Sequence, residues 1–595
     1  MTARIRSQRI AFRCSAVAVL GAAALLFAPK SALWGGRGSM KPEAQARSAS
    51  SGPADLILAN GHVYTGDAKQ PLAGAVAIRG EWIIAVAREA AGLKSWQGPK
   101  TRTLDLHGQF AMPGFNDAHV HFADAGFAKL SVNLDGVHSL SEMQQRIRER
   151  LADYSAGEWV TGFGWDHTLW PEKKFPTRQD LDLVSTSHPM IFGRVDGHVA
   201  VANSLALKLA GITRATPDPP SGHIVRDAKT GEPTGMLEEQ PAMNLVYAHV
   251  PPVTTAQRRR ALDLAMADAT QHGVTSAQDC SVLTMPENSN TGWDNFLVYQ
   301  RIRKEGKLKV RITEWLPFDF PLARLEEMRR IGGTSDLWLK TGQLKAFMDG
   351  SLGSRTAAML APYSDDRSTS GILRVEPAKL DQMSIERDRA GFQLGFHAIG
   401  DRANRVALDA FAAVLKANGP RDRRDRIEHA QIVAPGDFAR FAKLHVVASM
   451  QPSHLLDDER WAADRIGAER ARGAYAWHTM LDHGVPLAFG TDFPVEAINP
   501  LRGLYACVTR ELPQGGPAGG WQPQEKLTMD QCIHAYTAGS AYAEFEEHHK
   551  GTIAAGMLAD IVVFPQDLTR IEPRDLLRLP VSITIAGGRV VYQRQ

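Results

Sequence analysis

The feature that most constrains the fold is a repeated alternation in the middle of the chain. Short apolar runs with strand character occur at 111–118, 273–279, 310–314, 344–347, 393–397, 426–429, 446–450 and 486–490. Segments with helical apolar spacing, such as 256–271, 322–331 and 403–417, lie between them. Strand and helix in strict turn, eight times over, predict an α/β fold of the (β/α)8 TIM-barrel type, in which chemistry sits at the C-terminal ends of the strands. One interval breaks the rhythm. About 150 residues separate the first two runs, far beyond a connecting loop, and they contain strand-like pieces at 159–164 and 189–195. Residues 124–255 therefore read as a large insertion after strand 1 that covers the barrel mouth.

Both ends have a different texture. From 54 to 112, brief β-like runs are punctuated by Asn60-Gly61 and Arg79-Gly80, and similar runs return at 560–564, 581–585 and 587–592. Residues 51–110 and 546–595 are thus expected to build one small β-sandwich from both termini, flanking a barrel over 111–545. The first 50 residues stand apart: eight basic side chains against Glu43, an apolar stretch at 16–29, and Ala44-Gln45-Ala46 as a candidate cleavage site. This reads as a signal peptide or N-terminal anchor with a linker, and predicts export to the periplasm or exterior. Without it, the formal charge of +3 becomes −4 for residues 51–595. The body has no dense basic run interleaved with aromatics, so nucleic acid is not an expected partner. The four cysteines, Cys14, Cys280, Cys507 and Cys532, include no CxxC pair and are too few for a disulfide scaffold.

The 20 histidines carry more information. In Met112-Pro113-Gly114-Phe115-Asn116-Asp117-Ala118-His119-Val120-His121, the period of two places His119 and His121 on one face of a strand end, as two imidazoles must lie to share a metal ion. An HxH pair alone is a weak signal. However, His397, His429 and Asp492 also close or follow predicted strands, so four histidines and a carboxylate converge on one face. Nitrogen and oxygen donors of this kind suit a divalent metal, zinc above all, with a position open to water. Lys345 ends the fourth strand and could ligate only as a carbamate, since its charged amine has no lone pair to offer. Glu428 falls on the opposite side of its strand from His429 and is read as a supporting acid. His445, His454, His478 and His483 lack strand-end placement and are assigned to surface or core.

At this point the sequence resembles the amidohydrolase superfamily, and within it the amidohydrolase family 3 branch that includes N-substituted formamide deformylases. The order HxH, Lys, His, His, Asp carries the resemblance. So do the segment from Lys345-Ala346-Phe347-Met348-Asp349 to Arg355-Thr356-Ala357, His397-Ala398-Ile399-Gly400-Asp401-Arg402-Ala403, Gly490-Thr491-Asp492-Phe493-Pro494-Val495, and Val195-Asp196-Gly197-His198 in the insertion. The resemblance implies one metal on His119 and His121, a second on His397 and His429, carbamylated Lys345 bridging them, and Asp492 touching the first metal and acting as general base. A one-metal version without the lysine bridge stays open. The implied reaction is hydrolysis of a non-peptide carbon–nitrogen bond, an N-acyl or N-formyl amide, by metal-activated hydroxide. The alternatives are a cyclic amide, urethane, ester or lactone, or a regulatory protein on the same scaffold. Trp165, Asp196, His198, Asp349 and Arg355 are candidate substrate contacts, each with an equally simple structural reading as lid or loop residues. The expected partner is a small molecule, and a homodimer is compatible with the sequence.

Overall fold

A computed structural model describes residues 52–194, 198–220, 222–281 and 291–595. The leader, Asp196 and its neighbours Val195 and Gly197 lie outside the described residues. At the centre is an eight-stranded sheet of parallel neighbours in chain order. Its strands are β1 (Phe115–Val120), β2 (Val274–Asp279), β3 (Arg311–Pro317), β4 (Leu339–Phe347), β5 (Leu394–Ala398), β6 (Arg426–His429), β7 (Val447–Met450) and β8 (Leu487–Phe489). Beyond the end of β8, Asp492 N–H donates to His119 O at 2.8 Å and His121 N–H donates to Phe493 O at 2.7 Å, joining the last strand to the first. The result is a (β/α)8 barrel. Helices cover it because their apolar residues recur every three to four positions: Asp401–Asn418 buries Ala403, Ala407, Leu408, Phe411 and Val414.

The run at 111–118 is two strands rather than one. Phe110–Pro113 pairs antiparallel with Ile561–Phe564 and parallel with His62–Tyr64, and only after Gly114 does the chain enter the barrel as β1. A Cβ on Gly114 would lie 2.4 Å from Thr275 Cγ2, so the crossing needs a residue without a side chain. Phe110–Pro113 sits in a six-stranded sheet with strands from both chain ends, which shares a core with the four-stranded sheet containing Leu56–Ala59 and Ala75–Arg79. Leu58, Val76, Ala111, Ile561, Val563 and Ile585 meet in that core.

The helix Phe122–Leu130 belongs to the barrel wall instead of the insertion. It packs on Thr255–Gln271 so closely that a Cβ on Gly126 would fall 2.2 Å from Ala261 O. The inserted six-stranded sheet runs from Val132–Asn133 to Pro233–Glu238. Its strand Met190–Arg194 buries Met190 and Phe192 in one core and Ile191 in the other, the two-faced burial that alternation in a sheet demands. Among the described residues, no helix is long and apolar enough to cross a membrane.

Candidate metal centre

His119 is fully buried, and its ring is fixed from behind: Nδ1 donates to Glu428 Oε2 at 2.8 Å, leaving Nε2 free of that bond and facing the site. Glu428 itself is clamped by Arg426, whose Nε lies 2.6 Å from Oε1. Burial alone would raise the carboxyl pKa of Glu428, but Arg426 and His119 outweigh it and hold it at about 2. Arg426 and Glu428 both point into the barrel, with the Arg426 guanidinium also reaching Ala118 O at 2.7 Å and lying 5.0 Å from the Trp315 ring centre. Glu428 thus supports His119 from behind, as expected of a supporting acid, although it does so from the inward side of β6. His429 also reaches the cluster because its φ of 71° breaks the alternation at the strand end. Its ring centre lies 5.1 Å from that of His119 and 4.5 Å from that of His397, while Nδ1 donates to Gln451 Oε1 at 2.7 Å.

Asp492 stands opposite, with a φ of 59° that turns it back over the strand ends. Its Oδ1 is 3.3 Å from His119 Nε2 and 3.4 Å from His121 Nε2. This oxygen is buried and, among the described residues, makes no hydrogen bond. Burial works against its charge, but His119, His121 and His429 hold the carboxyl well below the ordinary range. Below it, Asp117 accepts from the Thr491 hydroxyl at 2.6 Å and the Thr491 N–H at 2.9 Å, which locks β1 to the β8 loop. Lys345 is buried, with Nζ 3.3 Å from His119 Nε2 and 5.2 Å from the Trp315 ring centre. His397 donates from Nε2 to Gly350 O at 3.3 Å, which leaves Nδ1 as its free lone pair.

Two groups at this end were not singled out from the sequence. Cys280, the first residue after β2, is buried with Sγ 3.6 Å from His119 Nε2 and 3.4 Å from His121 Nε2. Burial opposes its ionisation, but the two histidines and Lys345 prevail and bring the thiol to about 6. His454 follows β7 on the short turn Pro452–His454, with Nε2 3.5 Å from Asp492 Oδ2. Its assignment to surface or core is thus corrected. Cys280 carried one sequence signal, since it directly follows the predicted strand at 273–279.

The donor set fits a divalent metal. His119, His429 and Asp492 each offer an atom within 4.8 Å of the others, and so do His119, His121 and Cys280. A buried carboxylate oxygen without a hydrogen bond is costly unless a cation completes it. The sequence profile of the Amidohydrolase family matches residues 102–592. The chain belongs to that family.

Three similarities place this amidohydrolase among known proteins. It is 37% identical to "Protein LONG AFTER FAR-RED 3" of Arabidopsis thaliana over 91% of this chain and 92% of that one. It is 28% identical to the N-substituted formamide deformylase of Arthrobacter pascens over 91% and 98%. An uncharacterized metal-dependent hydrolase from Pyrococcus furiosus superposes with a TM-score of 0.71 at 28% identity, covering 87% of this chain and 100% of that one.

The candidate substrate contacts fare differently from the metal-site residues. Trp165 is fully buried in the core of the inserted sheet, its Nε1 donating to Phe192 O at 2.9 Å, so it offers no face to a ligand. Asp349 is buried too; it accepts the N–H groups of Ala358, Ile399 and Gly400 at 2.9, 3.1 and 2.8 Å and so anchors the loop after β4. Arg355 points both Nε and an Nη at Asp365, at 3.1 and 2.9 Å. Each of these three thus has hydrogen-bond partners of its own within the protein. His198 is exposed, with Nδ1 3.1 Å from Glu239 Oε2, beside an open groove shared with His223 and Glu238.

Proposed function

We propose that this metal-dependent amidohydrolase cleaves a non-peptide carbon–nitrogen bond, an N-acyl or N-formyl amide, with zinc as its metal. The observation that carries the reading is Asp492 Oδ1, buried without a hydrogen bond among the described residues and 3.3–3.4 Å from two imidazole nitrogens at the C-terminal end of the barrel. The similarity to a formamide deformylase along nearly its whole length supports the amide class.

His119, His121, His429 and Asp492 would hold the metal, with His397 and Lys345 at its margin. When bound, the metal acidifies water and polarises the substrate carbonyl. Asp492 accepts the proton of the attacking water and returns it to the departing nitrogen, a task its second oxygen is placed for. His454 Nε2 stands 3.5 Å from that oxygen. Trp315 and the buried body of Lys345 keep bulk water from below. We also propose that the protein is exported. The basic and apolar leader supports this, as does a disulfide between Cys507 and Cys532, a bond that persists in oxidising compartments.

A substrate panel tests the reading. Zinc-loaded protein is assayed against N-substituted formamides, N-acyl amines, cyclic amides, esters and lactones. Turnover confined to the open-chain amides is expected. Efficient cleavage of esters or lactones with no amide turnover would reject it, and metal binding without hydrolysis of any class would favour a regulatory role.

A further inference from the structure

We propose that His454 is a catalytic residue, its Nε2–H donating a hydrogen bond to the carbonyl oxygen of the amide under attack. The inference rests on the hydrolase reading above and adds to it a group that touches substrate.

The observation is a buried nitrogen with nothing to bond. His454 Nε2 has no hydrogen-bond partner among the described residues, and a buried polar atom left in that state is costly until something completes it. It faces the reaction centre, with Asp492 Oδ2 3.5 Å away and its ring packed against that of His429 at 21°, 5.9 Å from centre to centre. The neighbouring histidines have partners: Glu428 for His119, Gln451 for His429 and Gly350 for His397. His454 also belongs to neither group of metal-donor atoms, His119 with His121 and Cys280 or His119 with His429 and Asp492. It lies on the other side of the aspartate, since Oδ1 is the oxygen beside His119 and His121. A carboxylate oxygen near Nε2 favours the tautomer that carries its proton there, so the group left for substrate is a donor.

The segment is built to hold this donor still. His454 ends the turn Pro452–His454 and leads directly into the helix Leu455–Asp458, which buries Leu455 and Leu456. Ahead of it, Gln451 accepts from His429 Nδ1 at 2.7 Å. Behind it, Asp458 accepts from Gln431 Nε2 at 2.7 Å and from the Tyr475 hydroxyl at 2.6 Å. Both ends of the segment are thus tied to residues at or just past the end of β6. A donor fixed before substrate arrives needs no rearrangement when charge develops.

The chemistry requires such a donor. As the water oxygen bonds to the carbonyl carbon, Asp492 takes a proton from that water and the C=O π pair moves onto the carbonyl oxygen. His454 N–H bonds most strongly to that oxygen at this stage, and keeps its own proton throughout. The pair then returns to re-form C=O, the C–N bond breaks with its electrons on nitrogen, and Asp492 gives that nitrogen the proton.

The test uses full-length, zinc-loaded wild type and the variants His454→Gln, His454→Asn and His454→Leu, assayed on an N-alkylformamide and an N-alkylacetamide. The glutamine amide nitrogen can occupy the place of Nε2 and donate from it; that of asparagine falls short, and leucine has no donor. Turnover should fall about 10²–10³-fold in His454→Leu and His454→Asn at unchanged KM, and stay within about tenfold of wild type in His454→Gln. Zinc affinity, measured by chelator competition, and the circular dichroism of all three variants should match wild type. Unchanged turnover in His454→Leu, equal losses in the glutamine and leucine variants, or a loss of zinc affinity that parallels the loss of activity would overturn the assignment while leaving the hydrolase reading intact. A wild type that cleaves neither amide overturns both.

Discussion

Which nitrogen a histidine offers is decided behind it. Glu428 takes the Nδ1 proton of His119 and Gln451 takes that of His429, so both rings present Nε2 to the centre. Replacing Glu428 with Gln removes the charge that fixes this orientation and strands the Arg426 guanidinium. Metal affinity should drop by about 10–100-fold, measured by competition with a chelator. Asp492→Asn keeps the size of the side chain but cannot accept the proton. At saturating metal, its turnover should fall by about 10²–10⁴-fold with the fold unchanged, and retention of activity would remove Asp492 as the base. His119 and His121 could be read from the sequence because a strand forces residues i and i+2 to one side. Cys280 and His454 could not, since each sits past its strand, where no period governs direction. His429 reaches the centre only through a left-handed backbone, which no apolar pattern encodes.

Among the elements, all eight barrel strands were legible as short strand-like runs alternating with helical segments, even where buried polar residues interrupt them, as in Arg426–His429. Where a run ends was less so. The 111–118 segment reads as one strand-like run across Gly114, although its two halves belong to different sheets. The join between these layers has its own chemistry. Arg311 on β3 pairs with Asp560 through Nε at 2.7 Å and an Nη at 3.1 Å, stacks 4.2 Å over Trp338, and is buried. Asp560 also accepts the Gly587 N–H at 2.7 Å. Removing Asp560 leaves the buried Arg311 with only Glu81, at 3.6 Å, as an ionic partner, and removing Arg311 leaves Asp560 buried without its cation. Arg311→Met or Asp560→Ala should therefore cost about 3–5 kcal/mol in urea unfolding, whereas the double replacement should cost less than the sum of the two.

For the molecule as a whole, the closing segment is ionically fastened beneath the barrel. Glu546 pairs with Lys340 on β4 and with His549, and Lys550 reaches Glu544 at 2.7 Å. Burial would raise the Glu546 carboxyl, but His549 and Lys340 lower it from 4.5 to about 2. A carboxyl with a depressed folded-state pKa adds stability that is complete above its unfolded value and is lost as the pH falls. Melting temperature should accordingly decline between pH 4.5 and about 2, and Glu546→Gln should flatten that part of the profile. The Cys507–Cys532 bond closes a loop with a sequence separation of 25, and its loss in Cys507→Ser/Cys532→Ser should lower stability by about 3 kcal/mol. The sequence could exclude a disulfide scaffold, yet it could not pair these two cysteines, because their approach depends on how two distant helices pack.

The sheet that joins both chain ends also imposes an order of events on synthesis. Phe110–Pro113 emerges from the ribosome early, but its partner Ile561–Phe564 is among the last segments made. Until then, one edge of that strand has no neighbour, and exposed strand edges invite pairing with other chains. The nascent protein must carry this edge through the translation of the entire barrel. A chain that stops short of residue 561 should accumulate as aggregate even though every metal-site residue has already been made.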